Sequence, residues 1–148
     1  MAKRLAAVVG IILVTGACSS EKTDIGKAAE PTAATRTIEI KQLDTRRFDP
    51  ATIEAKAGET VTFRITNTAT SLHEFFLADK KAQEAHDKEM AAMGEAEMKM
   101  SDTQSRLFLE PGETKELTWT FAKKAEVPFA CHMPGHYQGG MRGVVKVA

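Results

Sequence analysis

Cys131, His136 and Met141 stand near the C-terminus with four residues between each and the next, and a further histidine, His73, lies far upstream. A thiolate and two imidazoles in a plane, with a thioether more distant, form a donor set for copper. Soft sulfur favours that metal, and the mixed set serves both Cu(I) and Cu(II). Taken singly, each residue has a plainer reading. A cysteine on a core face is usually a small buried hydrophobe, and a methionine a filler of irregular gaps. Two other chemistries use some of these groups. A cysteine hydrolase could pair Cys131 with a histidine, but no nucleophile elbow and no Asn to orient the base accompany them, and an inward Cys131 is hidden from substrate. A structural zinc site rarely takes methionine.

Spacing gives the loop its mechanics. Pro134-Gly135 forces a tight turn that brings His136 back toward Cys131, and Gly139-Gly140 offers a second bend that swings Met141 beneath the same point. The elements on either side must hold this loop still. From Thr37 onward, apolar residues recur with period two: Ile38 and Ile40; Val61, Phe63 and Ile65; His73, Phe75 and Leu77; Leu117, Trp119 and Phe121; Val127, Phe129 and Cys131; Val145 and Val147. Six or seven short strands between turn signals predict an antiparallel sandwich or barrel. His73 and Cys131 share the inward faces of their strands, so both point into one apolar interior. Pro128 belongs at an edge, or where its missing N–H is not needed.

With these residues in view, the chain from about 36 to 148 resembles the cupredoxins, the plastocyanin and azurin group of type 1 copper proteins. The motif is Cys-x4-His-x4-Met with Pro-Gly before the histidine, and His73-Glu74-Phe75 upstream. The resemblance implies an all-β, cupredoxin-like Greek-key β-sandwich with one short helical insertion. It implies one type 1 copper held by His73, Cys131, His136 and Met141, with both histidines binding through Nδ1. It also implies that electrons enter and leave near the loop histidine, so a partner would dock around His136, Met133, Pro134 and Tyr137. Many relatives carry Asn directly after the first histidine, where it ties loops together; here Glu74 stands in that place. The loop holds an extra His132, which strand alternation aims away from the metal and which reads as a surface residue tuning access.

Residues 79 to 105 break the strand pattern with Lys, Glu, Ala, Gln and Met in helix-forming proportions. His86, Met90, Met93, Glu97 and Met100 fall on one helical face. One reading packs that face on the sandwich; the other makes His86, Met90, Met93 and Met100 a second Cu(I)-binding surface, since thioethers suit Cu(I). The insertion resembles one found in periplasmic cupredoxins linked to copper tolerance.

The N-terminus reads as an address. Lys3 and Arg4, the apolar run Leu5 to Val14 and the small residues before Cys18 form an export signal over residues 1–17. They also resemble a bacterial lipoprotein signal, with Cys18 as the lipidation site; plain secretion with cleavage near Ala17 is the alternative. Residues 18–35, rich in Ser, Thr, Ala, Lys and Glu, read as a flexible tether. The expected location is the periplasm or outer cell surface, with membrane contact only through a lipid anchor.

Over 148 residues the 20 basic and 20 acidic groups cancel, which gives no field for nucleic acid. One domain of this length leaves no room for a second copper cluster and a substrate pocket, so no enzyme is expected. The expected role is single-electron transfer by a monomer with a redox partner protein. The alternative is copper capture, buffering or delivery with a copper-trafficking partner.

Overall fold

The computed structural model describes residues 23–93 and 101–148. The signal, Cys18 and the methionines Met98 and Met100 lie outside the described residues.

Among the described residues, ten strands form two five-stranded sheets. In chain order they are β1 (Gly26–Ala28), β2 (Arg36–Leu43), β3 (Arg47–Asp49), β4 (Thr52–Ala55), β5 (Thr60–Asn67) and β6 (His73–Leu77), then β7 (Arg106–Leu109), β8 (Thr114–Phe121), β9 (Ala125–Ala130) and β10 (Arg142–Val147), with one helix, α1 (Lys80–Ala92), between β6 and β7. The first sheet runs β1-β8-β5-β2-β3 and the second β4-β10-β9-β6-β7. Most neighbours are antiparallel; β2 with β5 and β4 with β10 are parallel.

The alternating residues meet between the sheets. Val61, Phe63 and Ile65 of β5 and Phe75 and Leu77 of β6 are inaccessible to solvent. Phe63 lies 6.0 Å from Phe75, ring centre to ring centre, and Phe75 lies 5.3 Å from Phe129. Each buried ring removes some 150–250 Å² of surface from water, the main source of stability in a domain this size.

Two features depart from the sequence expectation, and a third, Pro128, takes the second of its two expected placements. The tether does not extend to residue 35. Ile25 is buried, and Gly26 to Ala28 pair with Phe121 to Trp119 of β8, so the chain joins the sandwich ten residues early. A Gly-Lys-Ala strand carries no apolar alternation, and its place is set by the open edge of β8.

The helix is shorter than the predicted stretch. Asp79 caps its start, accepting from the Ala82 N–H at 2.8 Å, and Met93 is already extended at the other end. Glu97 and Met100 of the predicted face lie outside the described residues.

Pro128 is not at an edge, because β9 lies between β10 and β6. It sits opposite Val144, whose N–H goes instead to Ala51. The proline nitrogen thus lies at a position where β10 asks for no donor. Its carbonyl accepts from the Ala78 N–H on the other side.

Candidate metal centre

His73 opens β6, and Asn67 settles the loop that leads into it. The Asn67 amide donates to the carbonyls of Ser71 and Leu109, both at 2.8 Å, while its oxygen accepts from the Ala69 N–H. Leu109 is also the partner of His73 across β6 and β7. Cys131 directly follows β9, with its N–H on the carbonyl of Met141 at 3.1 Å.

Between them the loop makes the expected two turns. The His136 N–H returns to Met133, the Gly139 N–H to Gly135 and the Met141 N–H to His136. Gly135 and Gly140 adopt φ of 76° and 94°, a region that side-chain-bearing residues avoid. Both glycines are therefore needed to close the loop on itself.

Three donor atoms converge at this end of the core. Nδ1 of His73 lies 3.1 Å from Nδ1 of His136, and the Cys131 sulfur lies 3.4 Å from the His136 nitrogen and 4.0 Å from the His73 nitrogen. A triangle with these edges has a centre about 2 Å from each corner, close to the roughly 2.0–2.3 Å of nitrogen and thiolate bonds to a metal ion of this size. The residues present therefore fit a single ion, and Nδ1 is the atom each imidazole offers. His73, Cys131 and His136 are the His/Cys/Asp/Glu group among the described residues able to hold a metal. Met141 is inaccessible to solvent in the same core, and its backbone is bonded to both Cys131 and His136.

Burial sets the protonation of this cluster. It holds His73 down at about 4, with the neighbouring His136 adding to the effect. His136 is lowered by burial and then by the Arg46 guanidinium. Both imidazoles are thus neutral and ready to coordinate at ordinary pH. Burial pushes the Cys131 thiol up to about 12, so the metal-free site keeps its thiol proton and gives it up when a metal binds. The sulfur accepts a hydrogen bond from the Glu74 N–H at 3.3 Å, which stabilises a thiolate.

Glu74 does the tying that the missing Asn would do, by a different route. Its side chain points to the outer face of the second sheet and is fully buried there. One carboxylate oxygen accepts from the His132 N–H at 2.8 Å and the other meets Nε2 of His86 at 2.7 Å. The residue after one candidate ligand thereby holds the residue after another.

His132 is aimed away from the metal, as alternation requires, but it is not a surface residue: it is 3% exposed. Helix α1 covers it. Gln83 and Asp87 of α1 lie 2.6 and 3.1 Å from its two ring nitrogens, and Tyr137 stacks on the ring at 4.7 Å. Burial lowers its proton affinity, opposed by Asp87 and Glu74.

The proposed Met face resolves into parts. His86 and Met90 are buried against the sandwich, which is the packing reading. His86 is also engaged: Nε2 meets Glu74, and Nδ1 faces Glu89 at 3.3 Å and Arg106 at 3.4 Å. Its ring is therefore not free for a second copper. Burial alone would lower its proton affinity, but the Glu74 and Glu89 carboxylates hold it above the usual histidine value.

Sequence reading missed Gln83, Asp87, Arg46 and Arg47. The first two share a helix face with Met90 at i, i+4 and i+7, a pattern present in the sequence but crossing the one chosen around His86. Arg46 lies in the turn between β2 and β3 and Arg47 opens β3, and their guanidinium groups reach the carbonyls of Gly135 and Gly139 in the metal loop. Nothing in the sequence joins that turn to that loop.

The family model for copper binding proteins of the plastocyanin/azurin family matches residues 34–148. A protein of Pseudomonas aeruginosa named copper-resistant cuproprotein CopI is 39% identical, the match covering 82% of this chain and 81% of that protein. One of the same name from Rubrivivax gelatinosus is 38% identical, covering 84% and 74%. Among solved structures, the reduced auracyanin of Roseiflexus castenholzii superposes with a TM-score of 0.64 at 27% identity, over 78% of this chain and 98% of that one. The match of the family model from β2 through β10, on a site whose three donors fit one ion, places this chain in the plastocyanin/azurin family of copper-binding proteins.

Proposed function

We propose that the chain captures and holds copper in the cell envelope as part of copper tolerance. One observation carries this reading: the buried triangle of His73 Nδ1, Cys131 Sγ and His136 Nδ1 is already closed to the size of a single ion, in a chain similar to proteins named copper-resistant cuproproteins. His73, Cys131 and His136 would hold the ion, and Met141, buried in the same core, would offer a thioether. Bound there, copper supplies a one-electron couple. The chain's own residues do the rest: the core keeps the ligands in place, burial keeps both imidazoles unprotonated, and Glu74 directs an N–H at the sulfur. Cys131 yields its proton as the ion is taken up. On this reading the protein works as an exported monomer without catalytic turnover, and Cys18 anchors it if acylated.

Single-electron transfer is the second reading, favoured by the same preformed geometry. A site that does not rearrange between oxidation states lowers the barrier to exchange with a redox partner at His136.

The test is spectroscopic and cellular. Copper-loaded protein should show an intense visible thiolate-to-copper band, and Cys131→Ser should lose it while keeping the fold. In a copper-sensitive host lacking its own tolerance protein, the wild-type chain should restore growth on copper and Cys131→Ser should not. Rescue by the Cys131→Ser chain would overturn the capture reading. Colour without any rescue would leave electron transfer as the function.

A further inference from the structure

His132 is enclosed on three sides. Its side chain is fully buried, Tyr137 covers one face of the ring, and Nε2 lies 2.6 Å from Oε1 of Gln83. The Gln83 amide cannot be turned over, because its NH2 group already donates to the carbonyls of Phe76 and Pro128 at 2.8 and 3.2 Å. Oε1 is therefore an acceptor, and Nε2 of His132 must carry the proton that it accepts. In the neutral ring, Nδ1 is then left with a bare lone pair.

That lone pair faces a carboxylate oxygen. Nδ1 lies 3.1 Å from Oδ1 of Asp87. Two acceptors this close call for a positive centre, either a second proton or a metal ion. The surroundings supply the preference. The hollow beside the pair is lined by Met90, Met93 and Gln138 together with Asp87 and His132. Gln138 already donates to Asp87 at 3.3 Å, which leaves the thioethers as the other soft donors at hand. An imidazole and a carboxylate beside two thioethers suit a soft, singly charged ion such as Cu(I) more than a hard divalent one.

We propose that Nδ1 of His132, Asp87, Met90 and Met93 form a second, weaker site for Cu(I). Pro134 and Gly135 of the metal loop line the same hollow, so an ion held there rests against the loop that carries Cys131 and His136. The second site thus serves as a holding place outside the first. This inference rests on the reading that the chain takes up copper. It replaces the histidine of the Met face named from the sequence, since His86 is turned to Glu74 and His132 is the ring that faces the methionines' hollow.

The experiment is an anaerobic titration of the full-length, metal-free protein with Cu(I) against a coloured chelator. The wild type should take up two Cu(I) ions. The double variant Asp87→Asn/Met93→Leu should take up one, and on oxidation should show the wild-type visible band. Cys131→Ser should also keep one ion, without the band. In wild type, the ¹⁵N resonance of His132 Nδ1 should shift with the second equivalent and not the first. Uptake of only one ion by the wild type, with the band present, overturns the second site and leaves the first intact. So does a second ion that survives in Asp87→Asn/Met93→Leu and disappears only when Met98 and Met100 are replaced. Failure of the proposed function itself looks different: no visible band in the wild type.

Discussion

His73 and Glu74 are neighbours on one strand, and Cys131 and His132 are neighbours at the end of another, yet each pair is divided between two clusters of opposite chemistry. His73 and Cys131 turn inward, where with His136 they bring three donor atoms within 4.0 Å of one another. Glu74 and His132 turn outward beneath α1, where Gln83 and His86 meet them with hydrogen-bonding partners and Asp87 faces the His132 Nδ1. Strand alternation does the dividing. The inner cluster turns three atoms able to bind a metal toward one point. The outer cluster is a chain of hydrogen bonds that mostly satisfies itself. The Glu74 carboxylate on the His132 N–H couples them, so Glu74 is the brace of the inner cluster.

The largest expected effect comes from cutting that brace. Glu74→Ala leaves the His132 N–H and the His86 ring without their buried acceptor. Removing one partner of a buried ionic contact costs about 3–5 kcal/mol. For a chain of this length that lowers the melting temperature by roughly 10 °C, measurable by calorimetry. Glu74→Gln keeps one acceptor and should lose less. The visible band of the copper-loaded Glu74→Ala protein should also shift, because the sulfur's N–H donor is on the same residue. A band and a melting temperature both unchanged would show that the two clusters are independent.

The second effect separates the clusters by their protons. His73, His136 and His132 have proton affinities lowered by burial, so the unfolded chain takes up their protons first. The stability they confer is present above the unfolded histidine value of about 6.5 and is lost as pH falls from there toward about 4, where folded His73 titrates. His86 runs the other way: its raised value gives stability that is full below about 6.5 and fades as pH rises through the folded value. Three against one, the metal-free protein should melt lower at pH 5 than at pH 7. Replacing His86 with Gln should steepen that fall, because the opposing contribution is gone. A flat profile between these pH values would contradict the buried, neutral state assigned to the inner histidines.

How much of this was legible beforehand follows from range. The inward placement of His73 and Cys131 came from period two, a property of five consecutive residues, and the loop's two turns came from Pro134-Gly135 and Gly139-Gly140. The outer cluster was not legible. Its members come from a strand, a loop and a helix that meet only in the folded chain, and a buried Glu looks like any surface Glu in sequence. The same holds for β1, which is a strand because β8 offers it an edge, and for Arg46 and Arg47, which reach the metal loop from 89 and 92 residues away. The residues that make contact with the ion carry a pattern; those that brace it do not.

A third effect belongs to the inner cluster alone. With the Cys131 thiol held at about 12 and His73 at about 4, each copper taken up near neutral pH should displace one proton, from sulfur. The affinity for Cu(I) should therefore rise about tenfold per pH unit between pH 6.5 and 8.5, as read by chelator competition at several pH values. In Asp87→Asn/Met93→Leu the slope at the first site should be unchanged, since that proton belongs to Cys131. A slope near zero would mean that the thiol is already ionised without metal, and burial would not be what governs it.

The smallest effect tests whether charge reaches the inner cluster from outside the fold's core. Arg46 takes a left-handed backbone, with φ of 56°, and lays its guanidinium against the Gly135 carbonyl at 3.4 Å. Its charge lowers the proton affinity of both His73 and His136. The same field opposes the extra positive charge of the oxidised ion and so raises the reduction potential. Because Arg46 is exposed, water and salt screen most of this, and the shift belongs to the range of surface ion pairs. Arg46→Ala should lower the potential by roughly 10–40 mV at low ionic strength. The difference should vanish toward 1 M salt, where the screening length falls to about 3 Å. A shift that persists in high salt would mean that Arg46 acts by holding the loop's shape and not through its charge, and the metal loop would then have a second brace, from the turn between β2 and β3.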